Sequence, residues 1–248
     1  MRFRYEVLLL ITLVGLAGVL FALRWALFPG TEFHSEMWRF LLGDVAFLFL
    51  QVAIVTVCID RLMRARERQA TLHKLNMVIG AFFSEVGSQV LGRLAVADAN
   101  LAELHRELVP TGAWKTADYG AAKRFLAQHK VLMDLTACDL KGLKAVLVEE
   151  KRFLLGLLGN QSLLEHEAFS ELLWALTHLG EELEIRPSLE GIPPSDLAHL
   201  ATDAKRAYTQ LASQWLDYVR HLQTEYPFLF SLAVRSNPFN PKADPVVH

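Results

Sequence analysis

The sequence predicts an all-α protein, a two-helix transmembrane hairpin followed by a cytoplasmic helical bundle. Three observations predict it. Two apolar runs of about 20 residues each lie within the first 60 positions. Beyond them, apolar residues recur at helical spacing. No useful length of chain alternates polar and apolar residues, and no internal repeat is present. Composition agrees: 52% hydrophobic and 21% charged residues, with a mean hydropathy of +0.25, shift the chain toward a membrane-embedded fraction. A net charge of -2 gives no electrostatic footprint for nucleic acid. Two cysteines, Cys58 and Cys138, cannot build a disulfide framework.

The first expected span, residues 7–28, reads VLLLITLVGLAGVLFALRWALF, with Arg24 as its one charge. The second, residues 40–59, reads FLLGDVAFLFLQVAIVTVCI, with Asp44 as its one charge. At about 1.5 Å per residue, each reaches across a hydrocarbon core of roughly 30 Å. Both must be helical, because lipid offers backbone groups no partner. A signal peptide is the competing reading of the first run, since Arg2 and Arg4 precede it. The run is long for that purpose, and it ends in Arg24, Trp25 and Phe28 instead of a small-residue cleavage site. Arg2 and Arg4 before the first span, and Arg61, Arg64, Arg66, Arg68 and Lys74 after the second, place both ends in the cytoplasm. The connector carries Glu32 and Glu36 and no Lys or Arg. Tyr5, Trp25 and Trp38 fall near the expected interfaces.

Residues 61–236 read as one helical domain, and residues 237–248 as a frayed tail. No proline falls between Asp60 and Leu108, so the second span is expected to continue as a helix, with Asp60 and Arg64 as an i,i+4 pair. Pro110 and Gly112 end it. Further helices are expected over 118–131, over 139–158 and from 162 to about 186. A loop with three prolines follows, and Ser195 is the expected N-cap of a long helix over 196–224. Tyr226-Pro227 breaks that helix. The apolar run YPFLFSLAV then docks into the core or lies on a membrane or partner.

Few residues suggest chemistry. Asp44, Gln51 and Cys58 are seven apart and share a face of the second span, as in interhelical hydrogen bonding or a conducting path. Gly80, Ser84, Ser88 and Gly92, with Gly87 beside them, make a small-residue ridge for close packing, inside the domain or between protomers. Glu167, Glu171, Trp174, His178 and Glu182 fall near one stripe of a helix, and Asp196 and His199 stand three apart. The Glu-x-x-His pairs of di-iron bundles are missing, which leaves His166 and His178 as surface or interhelical hydrogen-bonding groups. Cys138 sits among Asp134 and Asp139, which do not activate a thiol, and Ser84-Glu85 has no associated base. No nucleophile elbow, phosphate loop, C-x-x-C or H-E-x-x-H motif occurs. No catalytic, cofactor-binding or metal-ligating residue is assigned, and no cofactor is expected. The basic run from Arg61 to Lys74 fits anionic headgroups as well as topology.

GDVAFLFLQVAIVTVCIDRLMRARER, KLNMVIGAFFSEVGSQVL, LLEHEAFSELLWALTHLGEEL and YPFLFSLAVRSNPF together resemble a family of bacterial and archaeal two-span membrane proteins with a cytoplasmic helical domain. The resemblance covers most of the chain after Leu42 and implies this same architecture without an activity. The expectation is therefore a non-catalytic, self-associating interaction or sensory module in the bacterial inner membrane, both termini cytoplasmic. Its partners would be the lipid bilayer and further copies of itself. A homo-oligomeric ion channel lined by the second span, or a metal-dependent enzyme in the bundle, are the alternatives.

Overall fold

The computed structural model describes residues 31–160, 163, 166–240 and 243–246, with Val19, Ala22 and Ala26 before them. The chain divides into two compact units, Met1–Glu67 and Arg68–His248. All described regular structure is helical, and the one β-type contact is an isolated antiparallel bridge between Asp98 and Met133.

Helix α1, Thr31–Phe82, contributes its residues up to Glu67 to the first unit and the rest to the second. In the first unit Phe40, Leu48, Val52, Val55, Val57 and Ile59 are exposed. Asp60 and Arg64 form the expected i,i+4 pair at 2.9 Å. Among the described residues no helix is long and apolar enough to cross a membrane. The expected span 7–28 lies outside the described residues except for Val19, Ala22 and Ala26, and so do half of the side chains of 40–59. The transmembrane hairpin is therefore no part of the described structure, and the fold established is the all-α class.

In the second unit the expected uninterrupted helix is broken twice. A π-helical turn, Phe83–Gly87, separates α1 from α2, Ser88–Ala95. The rings of Phe82 and Phe83 close over this turn, so that a Cβ on Gly87 would lie 2.6 Å from Phe82 Cε1 and 2.7 Å from Phe83 Cδ1. Residues 96–100 then leave the helix before α3, Leu101–Glu107. Asp98 causes the second break. Its carboxylate accepts from the Asn100 and Leu132 N–H groups and contacts His129 Nε2 at 2.8 Å. Ala99 N–H and Asp134 N–H complete the tie to residues 132 and 97. A buried side chain that satisfies backbone donors substitutes for the helix it interrupts.

Helix α4, Thr116–Gln128, starts where Lys115 N–H donates to Asp118, 2.7 Å away. A 3-10 turn, Leu135–Ala137, leads to α5, Leu140–Glu149, capped by Asp139. The single helix expected over 139–158 is divided at Glu150, whose φ of -90° and ψ of 6° separate α5 from α6, Lys151–Leu158. Helix α7, Glu167–Ile185, begins later than expected, because His166 caps it by accepting from Phe169 N–H. Helix α8, Pro194–Glu225, puts Pro194 at its first position, so Pro193 takes the N-cap place expected of Ser195. Proline fits there because its φ is already helical and its missing N–H would have no partner.

Helix α8 is the hub, packed against α7, α4, α2 and α9, Pro227–Arg235. Its buried residues Leu200, Ala204, Ala207, Leu211, Trp215, Val219 and Leu222 follow the helical period. Of the α9 side chains only Phe230 is buried, while Phe228, Leu229 and Leu232 are exposed. Asn237 and Phe239, at the start of the stretch expected to fray, are fully buried. Asn237 Nδ2 donates to Leu108 O, its Oδ1 accepts from Phe239 N–H, and the Phe239 ring packs edge-on to Trp215.

Candidate functional site

A cleft of about 470 Å³ in the second unit is one feature suited to a ligand. That is within the range of small-molecule sites. Leu72, Leu75 and Ile79 of α1 give it an apolar wall. Gln214, Arg220 and His221 of α8, with His166 ahead of α7 and Thr116 opening α4, give it a polar one. These α8 residues share the cleft because they recur at about helical spacing on the side facing α1.

Hydrogen bonds fix two imidazoles. His166 Nδ1 accepts from Phe169 N–H at 3.1 Å, so its proton sits on Nε2. His221 Nδ1 faces Asn76 Nδ2 at 3.3 Å. Asp217 is held by the Lys123 ammonium, and Arg220 stands 3.6 Å from it. Gln214 is 6% exposed. Tyr218 stacks on Phe83, and its hydroxyl is pushed up by burial against the opposing effect of a Ser84 hydrogen bond.

A second cluster joins α7 to α8. His178 and Glu182 from the expected stripe meet His199 and Asp203. Both Nε2 atoms lie 3.5 Å from Asp203 Oδ2, a buried oxygen with no hydrogen-bond partner. Glu182 and Asp196 are bridged by Arg186, which donates to Glu182 Oε2 at 2.7 Å and to Asp196 at 2.6 and 2.9 Å. These bonds hold both carboxyls below their ordinary range and the guanidinium well above its own. Among the described residues no group of three or more His, Cys, Asp or Glu is placed to hold a metal ion. Glu167, Glu171 and Trp174, from the same stripe, are exposed.

The remaining sequence candidates separate. Asp44, Gln51 and Cys58 are all exposed in the first unit. The small-residue ridge meets its own chain: a Cβ on Gly80 would lie 3.8 Å from Tyr218, and one on Gly92 3.8 Å from Pro238. Cys138 donates to Arg93 O at 3.5 Å, and burial first, then the Asp139 charge, pushes its thiol up to about 11. Such a thiol is a poor nucleophile. Arg61, Arg64, Arg66, Arg68 and Lys74 are exposed.

Several residues that shape these sites give little signal in sequence. Asp98 and His129 form a fully buried pair, and Tyr208 faces the same carboxylate, its hydroxyl pushed well up by burial and then by that charge. Asp203 and Gln214 carry the one usable clue. Each is a polar residue on the inward stripe of an otherwise apolar helix face.

Two family models match the chain. One described as "Uncharacterized protein MJ1433, C-terminal helical domain" covers residues 71–235, and one described as "MJ1433, N-terminal helical domain" covers residues 1–63. Uncharacterized protein MJ1433 of Methanocaldococcus jannaschii is 35% identical over 240 residues, 97% of this chain and 95% of that protein. No solved structure matches.

Proposed function

The chain belongs to the MJ1433 family, and on that premise we propose that it is a non-catalytic interaction or sensory module anchored in the cytoplasmic membrane. Two spans, residues 7–28 and 40–59, hold a self-associating helical domain on the cytoplasmic side. One observation carries this reading. Leu48, Val52, Val55, Val57 and Ile59 are exposed on a helix whose residues 40–59 carry one charge, Asp44, and are otherwise mostly apolar. A helix of that kind needs apolar surroundings. The charge bias around the two runs supports the orientation.

Carbonate washing of membranes and protease treatment of intact spheroplasts test the anchor. The expected result is a protein that stays in the pellet with its C-terminal domain protected. Release into the supernatant, or trimming of that domain from outside, overturns the reading. Native mass spectrometry in detergent tests self-association, and a monomer at every concentration counts against it.

A homo-oligomeric channel is the second reading, favoured by the exposure of Asp44, Gln51 and Cys58 on one helix. Asp44→Asn should then change the cation preference of reconstituted currents. Absence of current from the wild type removes this alternative.

A further inference from the structure

We propose that Arg61 and Arg66 form a collar on α1 that binds the anionic headgroups of phospholipids in the cytoplasmic leaflet. The proposal rests on the membrane reading above and names the partner of the helix just past its second span. Residues 60–70 and Lys74 are exposed. Arg64 is already taken up by Asp60, 2.9 Å away. Among the described residues no carboxylate pairs with Arg61 or Arg66, so both guanidinium groups are open to an outside anion. Leu62 and Met63 stand exposed between them. From Asp60 to Arg66 the chain carries three arginines and one aspartate, a net charge of +2.

Depth selects these two cations. At about 1.5 Å per residue, Arg61 lies about 3 Å and Arg66 about 10 Å beyond Ile59, the end of the expected span. The headgroup layer is about 5–8 Å thick. Helical side chains tilt toward the N-terminus, here back toward the span, so the long Arg66 side chain reaches that layer. Lys74 lies about 22 Å out, more than a Debye length beyond it. Glu67 and Arg68, neighbours past Arg66, offset each other. Placement selects the occupant. Five positions apart, Arg61 and Arg66 point about 140° apart around the helix. One small anion cannot bridge them, whereas lipids surround a span on all sides. Leu62 and Met63, at the same depth, meet the upper ends of the acyl chains.

The test is titration of the full chain in detergent with dioleoylphosphatidylglycerol and dioleoylphosphatidylcholine, read by native mass spectrometry. The two lipids share their acyl chains and differ in headgroup charge. The expected preference for the anionic lipid is about 25-fold, from about fivefold for each open arginine. Arg61→Gln with Arg66→Gln should remove it, and Arg61→Lys with Arg66→Lys should keep it. Lys74→Gln should leave it unchanged. So should Asp60→Asn with Arg64→Gln, which deletes a neutral pair. Unchanged thermal unfolding of the double glutamine variant, whose replaced side chains are exposed, shows that it is folded. Glycerol 3-phosphate, the headgroup chemistry without acyl chains, should not displace the lipid. A preference that survives loss of both arginines, an equal loss in Lys74→Gln, or displacement by glycerol phosphate overturns the proposal. Equal binding of the two lipids by a chain that carbonate washing leaves in the pellet overturns it alone. Release of the chain by that washing overturns the membrane reading and the collar with it.

Discussion

Two stretches of α1 carry apolar residues at the same helical spacing and meet opposite surroundings. Leu48, Val52, Val55, Ile59 and Leu62 are exposed in the first unit, whereas Leu75, Ile79 and Phe82 are buried in the second. Spacing finds the face of a helix and is silent on what covers it. The residues in between tell the stretches apart. Around Leu75 and Phe82 they mix Asn76, Gly80 and Ser84 with Met77, Val78 and Ala81, and a charge, Lys74, precedes them. Between 48 and 59 most are Phe, Leu, Ala, Ile or Val, leaving little polar face to turn to water.

The sharpest way to break this comparison is to put charge into the exposed stretch. Val52→Lys with Val55→Lys should move the protein from the carbonate-resistant pellet to the supernatant. Each lysine costs about 2.5–3.5 kcal/mol in a span. The melting temperature of the helical domain should stay as it is. A double variant that remains in the pellet means the exposed stripe faces no lipid. Phe82→Ala is the mirror experiment. It removes a fully buried ring packed edge-on to Phe83 and Phe169. A loss of about 3–5 kcal/mol in unfolding free energy is expected, with membrane retention intact. A melting curve matching wild type would place that ring outside the core.

The regular parts of this fold are legible in the residues and the irregular parts are not. The long helix expected over 196–224 is found at Pro194–Glu225, because its apolar residues keep one period from Leu200 to Leu222, about six turns. The π turn at Phe83–Gly87 is invisible to the same reasoning, since widening one turn leaves the apolar pattern nearly unchanged. The break at 96–100 depends on Asp98 accepting from Leu132 N–H, a partner 34 positions away. No local signal announces it. The cleft was equally hidden. In sequence His166 reads as a surface or interhelical hydrogen-bonding group, and nothing distinguishes Arg220 from other charges on α8; the cleft forms only where α1 and α8 meet.

Gly87 sharpens the contrast inside the buried stretch. Elsewhere on the ridge a methyl group is tolerable: Gly92 would present a Cβ 3.8 Å from its nearest neighbour. At Gly87 the added Cβ meets two aromatic rings at 2.6 and 2.7 Å, both buried and unable to swing outward. Gly87→Ala should destabilise by about 1–3 kcal/mol through overpacking, against the usual helix gain from alanine. Gly92→Ala should be neutral or stabilising. Denaturant unfolding of the two variants measures the difference, and a stabilised Gly87→Ala would show that the π turn relaxes at no cost.

Acid should separate the two units with a smaller effect. The Arg186 bonds hold Glu182 and Asp196 below their ordinary carboxyl values. Carboxyls depressed in the folded state add stability above their unfolded pKa, and that stability is lost as pH falls through the folded value. With unfolded values near about 4, the melting temperature of the helical domain should fall steadily below that pH. Arg186→Met removes the donor, so its melting temperature at neutral pH should be lower and its acid slope shallower. Membrane retention involves neither carboxyl and should not follow the titration. If wild type and Arg186→Met lose stability in parallel from pH 6 to 2, the bridge between α7 and the start of α8 is not what acid disrupts, and the tie at Asp98 and His129 is the next group to replace.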